Sequence, residues 1–221
     1  MSDNHDHDNG QQDAHPGVQP DIRLGERARR GLAMQELLIE KGLVKREEVQ
    51  RALQASRERS YSNGAKVVAR AWVDPAYKER LLANPIAAVE ELGFEMPHDT
   101  PRLAVVENTE NVHYLIVCTL CSCYPGMLLG NPPDWYKSLP YRSRAVKDPR
   151  GVIREFGHEV DNSVEVRVVD STADLRYMVL PMRPAGTDGM TEDELARLVT
   201  RDSMIGVNIP LTPEMAASGA D

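Results

Sequence analysis

All three cysteines of this 221-residue chain lie within one hexapeptide, Cys118-Thr119-Leu120-Cys121-Ser122-Cys123. Thiols at i, i+3 and i+5 converge on one point only if the backbone curls around that point. The same curl turns the peptide nitrogens of Ser122 and Cys123 inward, so the segment can present sulfurs and backbone nitrogens to a single metal ion. A structural zinc site takes four side-chain ligands, from Cys₄ to Cys₂His₂. Here there is no fourth cysteine, and the nearest histidine, His113, lies on the approach to the cluster. Two other readings stand beside the metal reading. The cysteines can be inert core residues, since free Cys is among the most buried residue types. Cys118 and Cys121 can be a CxxC redox pair, which leaves Cys123 without a role and lacks an evident βαβ setting. A structural disulfide would strand one thiol.

Composition narrows the class. Twenty-six Lys and Arg against 34 Asp and Glu give a net charge of −8. A main partner made of nucleic acid is not expected, because phosphate binding needs a basic surface. Two Phe and two Trp offer little for stacking bases. No apolar run reaches the roughly 18–20 residues that cross a bilayer. The segment Met1-Ser2-Asp3-Asn4-His5-Asp6-His7-Asp8 lacks the basic and apolar regions of a secretory signal, so the expected location is the cytoplasm.

Residues 1–21 are polar, rich in Asp and His, and broken by Pro16 and Pro20. They are expected to be disordered, because they cannot bury enough apolar area to offset ordering. His5, His7 and His15 can scavenge a divalent ion, or simply be part of a solvated tail. From Ile22, Leu32, Leu37, Leu38 and Leu43 recur at helical spacing, with Gly42 as C-cap. A second helix opens at Val44–Val49, with Leu53 on its apolar face. Asn63-Gly64 reads as a break before a helix over 65–73. Asp74-Pro75 and Asn84-Pro85 each start another, since Pro suits the first helical turn. Residues 22–93 thus read as a helical arm without a closed core of its own, which would have to wrap a partner or the rest of the chain. Leu103–Val106 and Tyr114–Val117 read as strands, the second delivering the chain to Cys118. Val164–Val168 alternates like a half-buried strand, and Leu175–Leu180 is expected beside it as a hairpin or sheet neighbour. Residues 135–156 read as helical segments rich in Arg, and Thr191-Glu192-Asp193-Glu194 is a capping box for a further helix. The fold class is α+β, with a tail at 1–21, an arm at 22–93, a metal-binding domain at 94–210 and a C-terminal tail at 211–221.

The hexapeptide with Tyr124 resembles the metal loop of the cobalt-type nitrile hydratase α subunit. The segments Leu129-Gly130-Asn131-Pro132-Pro133-Asp134-Trp135-Tyr136-Lys137-Ser138, Pro140-Tyr141-Arg142-Ser143-Arg144, Arg183-Pro184-Ala185-Gly186-Thr187 and Val199–Val207 are similar to that family as well. So are Glu40–Leu43 and Ala71–Tyr77. The resemblance implies a four-layer α-β-β-α domain and one non-corrin Co(III) held by the sulfurs of Cys118, Cys121 and Cys123 and the deprotonated backbone nitrogens of Ser122 and Cys123. Thr119 and Tyr124 match the cobalt pattern rather than the iron one. The resemblance further implies a sulfinic group on Cys121 and a sulfenic group on Cys123, with Cys121 and Cys123 as the catalytic pair. The sulfur oxygens would be paired by arginines of a partner β subunit, without which the chain would be inactive, and a metallochaperone or activator protein would assist loading. The implied reaction is hydration of a small-molecule nitrile to its amide. Attack comes either from water on a metal-polarised nitrile carbon or from the Cys123 sulfenate oxygen.

The sequence departs from the family at one place. Pro125-Gly126-Met127 stands where relatives read Pro-Trp-Pro, which removes an aromatic wall beside the expected substrate entrance. Thr119, Tyr124, Gly126 and Met127 are the expected pocket residues. The thiocyanate hydrolase metal subunit shares the loop and also lacks that Trp, so hydrolysis of thiocyanate to carbonyl sulfide and ammonia is the alternative. A non-catalytic metal carrier is a third reading. Arg142, Arg144 and Arg150 can face a partner, brace the metal loop or pack on helices. Glu107 and His113 can orient the loop or serve structure alone.

Overall fold

The structure, a computed structural model, describes residues 26–50, 60–96 and 100–218. The expected tail at 1–21, the helix start at Ile22 and Leu53 lie outside these residues. The chain forms two compact units, residues 1–51 and 52–221.

In the first unit α1 spans Glu26–Glu40. It stops at Gly42, whose φ of 67° only glycine adopts readily. The Gly42 and Leu43 amides return to the carbonyls of Ile39 and Leu38 at 2.9 and 3.0 Å, closing the helix end as expected. A second helical stretch, α2, runs through residues 46–50. The Glu48 carboxylate accepts the Lys45 amide at its start. None of the described residues of this unit is buried, and Leu32, Met34, Leu37 and Leu43 are exposed.

The second unit begins with α3 (Ser62–Val73), α4 (Pro75–Ala83) and α5 (Pro85–Glu91). Asp74 and Asn84 cap α4 and α5 by accepting the amides of Tyr77 and Ala87, with Pro in the first turn of each helix. Each such cap stabilises by about 1 kcal/mol. The expected break at Asn63-Gly64 is instead inside α3. A Cβ at Gly64 would stand 2.8 Å from both Leu129 Cδ2 and Met204 Sδ. That glycine lets a helix approach its neighbours closely, and it does not turn the chain.

Strands β1 (Arg102–Glu107) and β2 (Val112–Val117) follow. Four short helices come next: α6 (Gly126–Leu129), α7 (Asp134–Lys137), α8 (Leu139–Lys147) and α9 (Pro149–Glu155). Then come β3 (Glu165–Asp170), β4 (Leu175–Leu180), α10 (Glu192–Leu198), α11 (Arg201–Ile205) and α12 (Pro213–Ser218). The capping box at Thr191 and Glu194 forms as expected.

The strand pairing differs from the expected β3–β4 neighbours. β1 pairs with β4 and β2 with β3, both parallel, as two two-stranded sheets. Parallel strands need a long crossover, and α6–α9 supply it between β2 and β3. Alternation in sequence marks a strand but does not name its partner. Helices α4 and α5 pack on β1, α8 on β2 and α9 on β3, while β2 also meets β4. Val67, Val68, Leu81 and Val89 share one core with Leu115, Ile116, Met178 and Val179. The helices of 62–91 thus pack on the rest of the chain and share its core.

Candidate metal centre

β2 carries apolar side chains inward until Val117, and Cys118 is buried directly after it. Opposite Val117 in the parallel register stands Asp170, the last residue of β3. Its carboxylate accepts the Thr119 amide at 3.0 Å and the Thr119 hydroxyl at 2.5 Å. Ser171 N–H donates to Val117 O at 2.7 Å. The chain is thus clamped where it leaves the sheet, and the next residues curl back on themselves.

The curl brings the sulfurs together. Cys118 Sγ lies 3.4 Å from Cys121 Sγ, which lies 3.0 Å from Cys123 Sγ, and all three fall within 4.8 Å of one another. The Cys121 amide donates to Cys118 Sγ at 3.3 Å. Three side chains of the crossover hold the backbone around this cluster. Tyr136 OH donates to Cys123 O at 2.9 Å, Tyr141 OH to Ile116 O at 2.6 Å and Arg142 Nη1 to Cys121 O at 3.2 Å. Tyr136 and Tyr141 belong to an edge-packed aromatic group with Trp135 and Tyr124. Such contacts add roughly 0.5–1.5 kcal/mol each beyond area burial.

The thiols are not equivalent. Cys118 and Cys123 are buried and Cys121 is exposed. Hydrogen bonds from the Cys123 and Cys118 sulfurs bring the Cys121 thiol down to about 7. Burial, followed by the Cys121 and Cys118 sulfurs, pushes Cys123 up to about 12. Of these two, the exposed Cys121 thiol therefore ionises before the buried Cys123. A donor set of converging thiols suits a soft or borderline transition ion, and among the described residues no fourth Cys, His, Asp or Glu joins it. The residues present fit a metal held by the loop's sulfurs, with backbone nitrogens available beside them.

An open cavity of about 350 Å³ lies over the cluster, lined by Cys121, Ser122, Cys123, Tyr124, Gly126 and Arg176 among others. Four of the expected residues, Cys121, Ser122, Cys123 and Tyr124, therefore meet there, and Gly126 joins them. Met127 instead lines an adjoining cavity. Thr119, expected in the pocket wall, does not line either cavity; its hydroxyl is held by Asp170. Arg142 braces the loop. Arg144 pairs with Glu155, and Arg150 donates to the carbonyls of Val160 and Asp161. Glu107 pairs with Lys78, and His113 bonds Asn108 and Gly206, so both serve structure rather than the loop.

A model of the family "Nitrile hydratase, alpha chain" matches residues 26–208. This chain belongs to the nitrile hydratase α-chain family. It is 51% identical over 192 residues to the α subunit of a low-molecular-weight cobalt-containing nitrile hydratase of Rhodococcus rhodochrous, covering 86% of this chain and 92% of that protein. It is 41% identical to a thiocyanate hydrolase γ subunit of Thiobacillus thioparus, covering 81% and 78%. Among solved structures, a double mutant of the Fe-type nitrile hydratase of Comamonas testosteroni Ni1 superposes with a TM-score of 0.79. The identity is 44%, and 85% of this chain and 91% of that one are covered. A recombinant thiocyanate hydrolase superposes at 0.81 with 38% identity, covering 87% and 93%. Within this nitrile hydratase fold, Asp170 and Arg176 were not found from sequence. They lie 51 residues beyond Thr119, which Asp170 bonds, and 53 beyond Cys123, beside which Arg176 lines the cavity, and only the strand pairing brings them close.

Proposed function

We propose that this chain is the metal-carrying catalytic subunit of a cobalt nitrile hydratase, which hydrates a nitrile to the corresponding amide. The convergence of three sulfurs under an open cavity carries this reading. The likeness to cobalt-containing nitrile hydratase α subunits supports cobalt over iron, as do Thr119 and Tyr124. Cys118, Cys121 and Cys123 would bind the ion, together with the backbone nitrogens of Ser122 and Cys123. When bound, trivalent cobalt supplies a Lewis acid for the nitrile.

The chain's residues do the rest. The exposure of Cys121 supports the deeper oxidation there, to sulfinic acid, and the burial of Cys123 supports the milder sulfenic state. The Cys123 oxygen is the favoured nucleophile. Tyr136 and Arg142 hold the carbonyls of Cys123 and Cys121 by hydrogen bonds and so fix the loop backbone. A β subunit would cover the site and pair the sulfur oxygens with its arginines; Leu120 and Leu139, 87% and 72% exposed, support such a cover. The apolar residues exposed on α1 support an arm that wraps the partner. The helix–sheet–sheet–helix order of contacts supports the α-β-β-α layering. Loading by a metallochaperone and residence in the cytoplasm, where thiols stay reduced, complete the reading. Thiocyanate hydrolysis is the second reading, favoured by Gly126 in place of Trp and by the thiocyanate hydrolase likeness.

The test is elemental analysis and turnover of the chain co-purified with its β subunit. About one cobalt per α chain and nitrile hydration are expected, and Cys118→Ala, Cys121→Ala or Cys123→Ala should abolish both. Stoichiometric zinc would overturn the metal assignment. Turnover of thiocyanate without nitrile hydration would move the protein to the second reading.

A further inference from the structure

In a parallel pair, a strand turns the N–H and C=O of every second residue toward its partner and the others away. At the two ends of β3 the amides of Glu165 and Ser171 donate to Asn111 O and Val117 O, on the β2 side. The alternation puts the backbone groups of Arg167 and Val169 on that side too. Those of Val166, Val168 and Asp170 therefore face outward, where no strand lies among the described residues. No residue of β3 is buried, so water and partners can reach this edge.

The other outer edges are covered from within the chain. On β2, Asn108 Oδ1 accepts the Tyr114 amide, Thr109 Oγ1 accepts that of Val112, and Tyr141 OH donates to Ile116 O. On β4, the hydroxyls of Thr172 and Ser171 accept the amides of Leu175 and Tyr177. On β1, α4 and α5 pack, and Leu103 and Val105 are buried. β3 is capped only at its entry, where Arg150 Nη2 donates to Val164 O. Past that point the outward groups of Val166, Val168 and Asp170 have no backbone partner among the described residues. An open edge is a template for another chain, and proteins blunt one with Pro, Lys or a bulge. Val166-Arg167-Val168-Val169-Asp170 has neither Pro nor Lys, and its register with β2 runs unbroken.

The place of the edge indicates what covers it. At one end it opens on a cavity of about 540 Å³, lined by Lys147, Arg150, Val164 and Val166 among others. At the other it ends at Asp170, which holds Thr119, and the next loop residue is the exposed Leu120. A chain that covers the loop tip thus lies beside the end of this edge. We propose that an extended segment of the β subunit adds to β3 as a third strand, its backbone bonding Val166, Val168 and Asp170. Main-chain bonds of this kind supply affinity whatever the sequence of the added strand. The inference rests on the reading in which a β subunit covers the metal centre.

The experiment is residue-resolved amide hydrogen exchange on the full chain, alone and co-purified with its β subunit. Arg167 and Val169 should be protected in both states, because they bond β2. Val166, Val168 and Asp170 should exchange freely in the chain alone and slow on the order of a hundredfold or more in the complex. Val168→Pro removes one outward N–H and no bond to β2. It should weaken assembly roughly tenfold or more, read by sedimentation, with the circular dichroism of the isolated chain kept. Outward amides that stay fast in the complex overturn the proposal. So does protection that grows with concentration of the chain alone, which would mean that a second copy takes the edge. Nitrile turnover of the same complex is read separately. Protected amides without turnover would refute the substrate reading and leave the added strand standing, whereas turnover with unprotected amides would remove the strand alone.

Discussion

His113 fastens the middle of the unit from the strand that leads to the metal loop. Its Nε2 lies 2.8 Å from Gly206 O, and its Nδ1 lies 3.3 Å from the Asn108 side-chain amide. Only the neutral ring with its proton on Nε2 satisfies both, donating to the carbonyl and accepting from Asn108; the tautomer follows from this network. Burial lowers the His113 pKa below the ordinary 6.5, with His158 and Arg150 adding to the effect, and burial lowers His158 likewise. His158 lies ring to ring with His113, 5.6 Å between centroids. A folded pKa below the unfolded one means that the unfolded chain binds more protons once pH falls under about 6.5. The contribution is fully present above that pH and is lost as pH drops toward the folded pKa values. Thermal denaturation of the unaltered chain should therefore show Tm falling between about pH 7 and pH 5. A His113→Gln, His158→Gln chain should show a flatter acid limb. An unchanged slope in the double variant would rule out these rings as its source.

At the scale of elements, the junction of β2, β3 and the loop decides how well the thiols are held. Asp170 bonds Thr119 twice from the end of β3, and groups that orient metal ligands are typically worth 10–100-fold in metal affinity. Asp170→Ala should thus lose cobalt to a chelator roughly tenfold faster or more, with the helix signal in circular dichroism preserved. Full retention of cobalt would show that the clamp does not serve the site. The loop itself was legible in the sequence because its donors are neighbours there. Helix starts were legible too, since Asp74-Pro75, Asn84-Pro85 and Thr191–Glu194 act within one turn. Strand partners were not. The alternation in Val164–Val168 is the same whether β3 lies beside β2 or β4, and the choice depends on the crossover helices packing against the sheet. Gly64 was misread for a similar reason: a glycine that makes room for Leu129 and Met204 looks, in sequence, like one that makes a turn.

At the scale of the molecule, apolar residues remain uncovered near the site. Leu120 at the loop tip and Leu139 at the start of α8 are exposed, and full burial of such a side chain on a partner is worth about 1.5–3 kcal/mol. Leu120→Asp should weaken assembly with the β subunit, read by sedimentation, while changing the stability of the isolated chain by no more than about 0.5 kcal/mol. Assembly at unaltered affinity would place the partner elsewhere. The clamp on the loop also has a consequence in time. Thr119 precedes Asp170 by 51 residues, and at about 5–20 residues per second a ribosome needs several seconds to cross that gap. Until then the three thiols are an unheld run of nucleophiles, open to any stray metal or oxidant. It follows that synthesis imposes an order of its own: the loop cannot be held until the strand that ends in Asp170 has been made.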